Sequence, residues 1–171
     1  HVDLTFGPYS SLLTIPSSQI ASRYGYAFPE PAGGGPQVFS RGLRNLFFVQ
    51  PAAVVDNLGS YVNWLRSLPA AQRPRTAAYA TEDDPFTQPQ VDTARASLEA
   101  AGVSTLFSRV YPAELLDVTP IALAIAQTDA DVVVLGTMLP DAIAFVKTFQ
   151  EQRFSPRSLA ETAGPDQGSQ F

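Results

Sequence analysis

The sequence predicts an α/β protein built from Rossmann-like parallel sheets. Three observations carry this. Short apolar or β-branched runs alternate with longer amphipathic stretches along the whole chain. Residues 132–135 are apolar at every position, as in a parallel strand covered on both faces. Finally, two stretches of like build, residues 3–33 and 131–164, lie roughly 130 residues apart, each a strand ending in Gly, a helix, and a short strand running into another Gly.

Taken in order, residues 2–6 read as a buried strand stopped by Gly7-Pro8. A helix over about 10–24 follows, with Leu12, Ile15, Gln19 and Ile20 near one side. Residues 26–28 form a short strand, and 29–36 form a loop, because three Pro and three consecutive Gly suit neither helix nor central strand. Residues 46–49 are the next strand. The helix at 53–68 carries Val54, Leu58, Tyr61, Val62 and Leu65 on one face. After a linker at 69–74, residues 76–80 are a strand. Glu82-Asp83-Asp84-Pro85 opens a helix to about Ala101, with Asp84 as its N-cap, Pro85 at the first helical position and Gly102 just past the end. Its buried stripe is Val91, Ala94, Leu98 and Ala101. A strand at 103–110, a helix at 118–127 capped by Asp117, the strand at 132–135, a helix at 141–152 and a short strand at 158–161 complete the pattern. The tail, 162–171, is rich in Gly, Ser and Gln.

Composition narrows the function. With 171 residues, 45% of them hydrophobic, the chain has material for a sizeable core, and 11% aromatics exclude disorder. The net charge is −5 and the pI about 4.7, with ten Arg and one Lys (Lys147) scattered, so no basic stripe exists for a nucleic-acid partner. The longest purely apolar run, residues 121–126, falls far short of the ~20 residues that span a bilayer. There is no Cys, which removes disulfides and thiolate chemistry without deciding a compartment.

Chemistry is equally constrained. Nucleophilic hydrolysis needs an activated Ser, Thr or Cys beside a base, yet the one His is His1, at the chain end. Ser10-Ser11 lacks the glycines of a nucleophile elbow, and Lys147 sits mid-helix on a solvated face. The cluster Glu82-Asp83-Asp84 has the ligand type of a Mg²⁺ or Ca²⁺ site, but carboxylates ahead of Pro85 also cap a helix and complement its dipole, and capping is the reading adopted. Gly33-Gly34-Gly35-Pro36 is neither a Walker loop nor GxGxxG. Ligands in open α/β sheets bind beyond the carboxyl ends of the strands, a position held here by residues 7–11, 31–36, 83–87 and 136–140. These loops offer small residues, hydroxyls and two rings, Tyr9 and Phe86, for which ordinary core packing is the plain alternative. They describe a small-molecule pocket without a reactive group. The expectation is a binding protein with no catalytic residue, metal or cofactor.

At this point the motifs become familiar. The segment Val2-Asp3-Leu4-Thr5-Phe6-Gly7-Pro8-Tyr9-Ser10-Ser11 resembles the "Asp, apolar strand, Gly-Pro-x-Ser-Ser" segment of type I periplasmic binding proteins. These are the branched-chain amino-acid-binding, or extracellular ligand-binding receptor, family of ABC transporters. Phe47-Phe48-Val49-Gln50-Pro51 is similar to the family's first crossing between lobes, residues 75–86 to its strand leading into "DDPFG", and Leu116-Asp117-Val118-Thr119-Pro120 to its "tDfTP". Residues 131–139, Asp141-Ala142 and Phe154-Ser155-Pro156 continue the match in order.

The resemblance implies two parallel-sheet lobes closing by a hinge on a small ligand, with a membrane permease as partner and an exported, periplasmic or surface-anchored location. Residues 1–50 would be part of lobe one, 51–161 most of lobe two, and 162–171 a loop leading to segments outside this chain. A ligand-sensing domain of a receptor or regulator has the same fold and is the alternative. Carried over by position, a ligand carboxylate would meet Ser11 and the backbone of Ala32, Gly33 and Gly34, and Ser10 would be a further ligand-binding residue. Tyr9 and Phe86 would stack on the ligand, Met138 or Leu139 would lie at a second covering position, and residues 162–164 would stand opposite. Gly34 stands where amino-acid binders usually carry a hydroxyl, and Ala163 where they carry an acid for the ammonium. A plain α-amino acid is therefore disfavoured unless Asp166 folds inward, and an apolar or aromatic carboxylate or amide is expected. Arg153 replaces a common helix-ending Gly, without functional consequence.

Family members are considerably longer, so this chain is expected to leave sheet edges and apolar helix faces uncovered. Size exclusion beside intact mass spectrometry should therefore show self-association or bound segments of the same protein; a compact monomer with no other peptide present would contradict this.

Overall fold

The computed structural model describes residues 2–171; His1, weighed above as a candidate base, lies outside the described residues. In chain order the elements are α1 (Ser11–Arg23), β1 (Phe28–Glu30), α2 (Pro36–Phe39), β2 (Leu46–Phe48), α3 (Gly59–Ser67), β3 (Thr76–Glu82), α4 (Thr87–Ala100), β4 (Ser104–Tyr111), α5 (Thr119–Ala126), β5 (Val132–Gly136), α6 (Leu139–Glu151) and β6 (Ser158–Glu161). Short 3-10 turns occupy Val54–Asp56, Ala70–Gln72 and Pro165–Gln170. All strand pairs are parallel: β1 with β2 in a small sheet, and β4-β3-β5-β6 in a larger one.

Two-residue periodicity makes β3 the organising strand. Ala77 and Tyr79 point to one face, where Val62 and Leu65 of α3, Val91 and Leu98 of α4, and Val132 and Val134 of β5 pack. Ala78 and Ala80 point to the other, against Ile121, Ile125, Val133, Leu135, Phe145 and Phe149 from α5, β5 and α6. Phe145 is fully buried, its ring 6.3 Å from Tyr111 and 6.0 Å from Phe149. On the outer side of α3 the single Trp, Trp64, stays half exposed with its ring 6.0 Å from Tyr61.

The structure corrects several expectations. Residues 2–6 form no strand. They run beside β1, where Thr5 Oγ1 donates to Ala27 O (3.0 Å) and Gly7 N to Pro29 O (2.8 Å). The bonds that a parallel ladder would return to Thr5 and Gly7 must come from residues 29 and 31, and both are Pro with no N–H to give. Val2, Leu4 and Phe6 consequently remain exposed. The strand expected at 26–28 lies at Phe28–Glu30, drawn there by its register with Leu46–Phe48, so Pro29 and Glu30 leave the loop. Pro36, at the loop's end, starts α2 instead, as Pro at a first helical position does.

Helix α1 buries its hydroxyl side, Ser11, Thr14, Ser18 and Ala21, and exposes Leu12, Leu13 and Ile20. The reason is hydrogen bonding: Thr14 and Ser18 are satisfied inside, Ser18 Oγ donating to Thr14 O (2.6 Å) and accepting Arg41 Nη2 (2.6 Å). The helix expected at 53–68 breaks into a 3-10 turn and α3 around Asn57 and Gly59, both poor helix formers. Asp84 caps as expected: its carbonyl accepts Gln88 N, and its carboxylate accepts Phe86 N (2.7 Å) and Thr87 N (3.1 Å). The regular helix nevertheless begins at Thr87, and Ala101, beyond its last residue, is exposed rather than in the buried stripe. Asp117 caps α5 by accepting Thr119 N (2.9 Å), one residue later than expected.

Removing the Phe145 ring should leave a void between α6 and β4, so Phe145→Ala is expected to cost about 3–5 kcal/mol, read as a lowered urea midpoint with unchanged slope.

Candidate functional site

The loop after β1 is held by a buried carboxylate. Glu30 is fully buried and accepts Thr14 Oγ1 (2.6 Å), Ala32 N (2.8 Å) and Gly33 N (2.6 Å). Gly7 lies so close to this carboxylate that a Cβ there would overlap it. Gly34 N donates to Ala32 O (3.0 Å), and Gly35 N to the buried Ser11 Oγ (2.9 Å). The N–H groups of residues 32–35 are thus all engaged within the chain. Ser11, Ala32, Gly33 and Gly34, expected to face a ligand carboxylate, are not among the residues lining the cavity described next.

That cavity, of about 510 Å³, opens at the carboxyl ends of β3, β4, β5 and β6. Tyr9, Ser10 and Leu12 close one side. Met138, Leu139, Pro140, Ala163, Gly164 and Gln167 close the other, with Glu82, Asp84 and Ala113 at the sheet ends. Of the residues singled out in the sequence, Tyr9, Ser10, Met138 and Ala163 are brought together here. Phe86 is not in the lining: it forms the turn into α4, donating its N–H to Asp84, while Gly35 packs directly on the Pro85 carbonyl. Ser10 sits at φ 129°, a strained conformation for a non-glycine residue, and its hydroxyl caps α1 at Leu13 N (3.4 Å). Gly164, at φ 124°, passes so close to Ala142 that no side chain fits. Asp166 turns to its own loop, accepting Gly164 N (2.9 Å), which lowers its pKa. Within the tail, residues Pro165–Gln170 form a 3-10 turn next to α6, broken at Gly168.

The electrostatics are one-sided. Two carboxylates line the cavity, Glu82 and Asp84, each about 5–6% exposed, and no Lys, Arg or His does among the described residues. Glu82 Oε1 accepts Met138 N (2.9 Å). Burial pushes its carboxyl up to about 7, helped by the neighbouring Asp141 and Asp84 and opposed by the Met138 N–H. Asp141 in turn accepts the Tyr111 hydroxyl (2.9 Å), and burial with that carboxylate raises the Tyr111 pKa. Tyr9 is also raised, by burial first and then by Asp166 and Asp84. Behind Gly164, both carboxylate oxygens of Glu161 are buried without a hydrogen-bond partner, and burial takes that group to about 7. Among the described residues no three His, Cys, Asp or Glu side chains cluster as a metal site. A second cavity, about 450 Å³, lies at the amino ends of β3 and β4 beside Arg66 and Arg73, away from the strand ends where α/β sheets bind ligands.

The profile of the periplasmic binding protein family matches residues 1–167. The chain belongs to that family. This periplasmic binding protein is 23% identical over 167 residues to the Leu/Ile/Val-binding protein homolog 8 of Brucella abortus, covering 95% of the chain and 41% of the relative. It is similar in structure to an extracellular ligand-binding receptor from Rhodopseudomonas palustris HaA2 (TM-score 0.76, 18% identity, 94% of this chain and 43% of that one). A solute-binding protein of an ABC transporter from R. palustris in complex with benzoate gives a TM-score of 0.76 at 15% identity, over 94% of this chain and 43% of that one. The chain thus spans about 41% of the length of the curated relative. The family that the motifs resemble and its parallel α/β fold are both shown.

Within this periplasmic binding protein the two repeated stretches meet. Tyr9, Ser10 and Leu12 of the first line one cavity together with residues 138–140 and 163–164 of the second. Sequence reasoning missed the roles of Glu82, Leu12, Ala113 and Gln167 in its walls. For Glu82 a signal existed: it ends a strand whose preceding residues are nearly all small and uncharged, so it inherits their burial.

Glu82 and Glu161 are acids raised in the folded state above their usual 4.5, so the folded chain holds more protons than the unfolded one between about pH 4.5 and 7. Thermal stability should fall as pH rises across that window, and Glu82→Gln or Glu161→Gln should flatten the slope; melting curves that rise with pH there would contradict it.

Proposed function

We propose that the chain is part of the solute-binding component of an ABC-type importer, and that the cavity at the strand ends is its solute site. The observation that carries this is the meeting of the two repeated stretches over a cavity of about 510 Å³ whose walls are mostly apolar, from Leu12, Ala113, Met138, Leu139, Pro140 and Ala163. Residues 1–50 then belong to one lobe and 51–161 to the other, with 162–171 leading onward. Closure about the crossings between them would trap the solute. A membrane permease is the partner, and an exported location follows from that role. The names of relatives supply the ligand classes to compare: Leu, Ile and Val for the Brucella protein, and benzoate for the R. palustris one. For this chain the reading is a small apolar or aromatic solute of the carboxylate or amide type.

A thermal-shift screen of amino acids, aromatic acids and amides on the full-length protein tests this. A true solute should stabilise by about 2.7 kcal/mol at a hundredfold excess over Kd and be recovered chemically unchanged. X-ray scattering should show a smaller radius of gyration with the solute. Turnover of the stabilising compound, or no stabilisation by any of them, would contradict the proposal.

A further inference from the structure

We propose that the cavity at the amino ends of β3 and β4 is a second ligand site, built for a small amphipathic anion with a short apolar tail and a carboxylate head. It lies at the opposite end of the sheet from the cavity read as the solute site, and does not rest on that reading. Its volume, about 450 Å³, is of the size that holds small ligands. Here α3 and α4 end, and the chain enters β3 and β4 through Pro74 and Val103. Leu65, Pro74, Leu98, Ala101 and Val103 give the cavity an apolar lining. Arg66 and Arg73 share that lining while remaining exposed, so their stems extend the apolar surface and their guanidinium groups meet solvent.

Two observations make these cations available to a ligand. First, the chain does not use them up. The ion pairs among the described residues engage Arg95 and Arg157, not Arg66 or Arg73. Arg66 makes no hydrogen bond within the chain among the described residues. Arg73 donates only through Nε, to Leu68 O (2.8 Å), which fixes the group and leaves both terminal nitrogens unbonded. Second, charge is segregated. The chain carries a net −5, yet residues 57–81 hold Arg66, Arg73 and Arg75 and no Asp or Glu, and no acid lines this cavity among the described residues.

The plain alternative is helix capping, since Arg66 lies in the last turn of α3, where a cation complements the negative end of the dipole. The helix ends are largely satisfied without it. Leu65 O accepts Leu68 N (3.4 Å), Leu98 O accepts the N–H groups of Ala101 and Val103 (both 3.0 Å), and Glu99 O accepts Gly102 N (2.9 Å). A guanidinium fork meets a carboxylate through paired, charge-assisted N–H···O bonds that a neutral head does not return. The apolar lining in turn favours an anion that carries a hydrocarbon tail over a bare inorganic one.

Calorimetry on the full-length protein with hexanoate, octanoate and octanamide tests the assignment. Octanoate should bind about 4-fold tighter for each methylene it has beyond hexanoate. It should also bind at least ~10-fold tighter than octanamide. Arg66→Gln combined with Arg73→Gln should cost octanoate at least ~10-fold. Should that double variant not fold, Arg66→Gln alone, which breaks no hydrogen bond within the chain, decides by a loss of at least ~3-fold. Octanoate affinity unchanged in these variants, with only the melting temperature lowered, would leave both arginines as helix caps and overturn the proposal. Equal binding of octanoate and octanamide, or no binding of either, would overturn it as well.

Discussion

Because β3 is paired along both edges and covered on both faces, every residue from Ala77 to Glu82 is buried, whatever its chemistry. The strand meets this demand with small side chains. Ala77, Ala78 and Ala80 let α4, α5 and α6 approach closely, and Tyr79 is the one large exception. The parallel register with β4 and β5 then brings the chain out at one end of the sheet, where the loops gather and the cavity forms. Glu82 is carried inward with the rest of its strand. A charge in that position is costly, and a single backbone N–H offsets only part of the cost, so the group holds its proton to higher pH instead.

Three glutamates whose carboxylates are buried show how far donors decide the fate of a carboxyl group. Glu30 receives three hydrogen bonds and serves as a fixed internal anion that shapes the loop around it. Glu82 receives one, from the first residue past the neighbouring strand's loop, and is left facing another acid. Glu161 receives none among the described residues. The first is structural, while the other two keep unused capacity for hydrogen bonding, Glu82 in the cavity wall and Glu161 beside Gly164. Charge-assisted bonds in a poorly solvated wall are strong when made and expensive when absent.

Much of the larger sheet was legible because its signals are periodic and local. The apolar run at 132–135, the stripe of Val91, Ala94 and Leu98, and the capping carboxylates of Asp84 and Asp117 all stand near where the pattern puts them. What was not legible depends on partners distant in the chain. Residues 2–6 have a strand's pattern, but their neighbour offers Pro29 and Pro31 where donors are needed. Helix α1 has an apolar side, yet its Thr14 hydroxyl is claimed by Glu30 sixteen residues away, which turns the polar side inward. At the cavity, Tyr9, Ser10, Met138 and Ala163 were accessible from strand-end loops and family motifs. Phe86 lies outside the lining, in the turn into α4 where its N–H is held by Asp84, and the contact of Gly35 with Pro85 beside it is one that no local pattern announces.

The half-exposed indole of Trp64 has a practical meaning for anyone following events in the cavity by light. It sits on α3 near the amino ends of β5 and β6, beside Val132 and Ser158, at the opposite end of the sheet from the cavity. As the only Trp in the chain, it dominates the intrinsic emission while reporting on the wrong pole of the molecule. Tyr9, the one aromatic ring in the cavity lining among the described residues, is the native chromophore in the right place. Replacing Trp64 with Phe would remove the indole emission and leave that of the six Tyr, of which Tyr9 alone lines the cavity among the described residues.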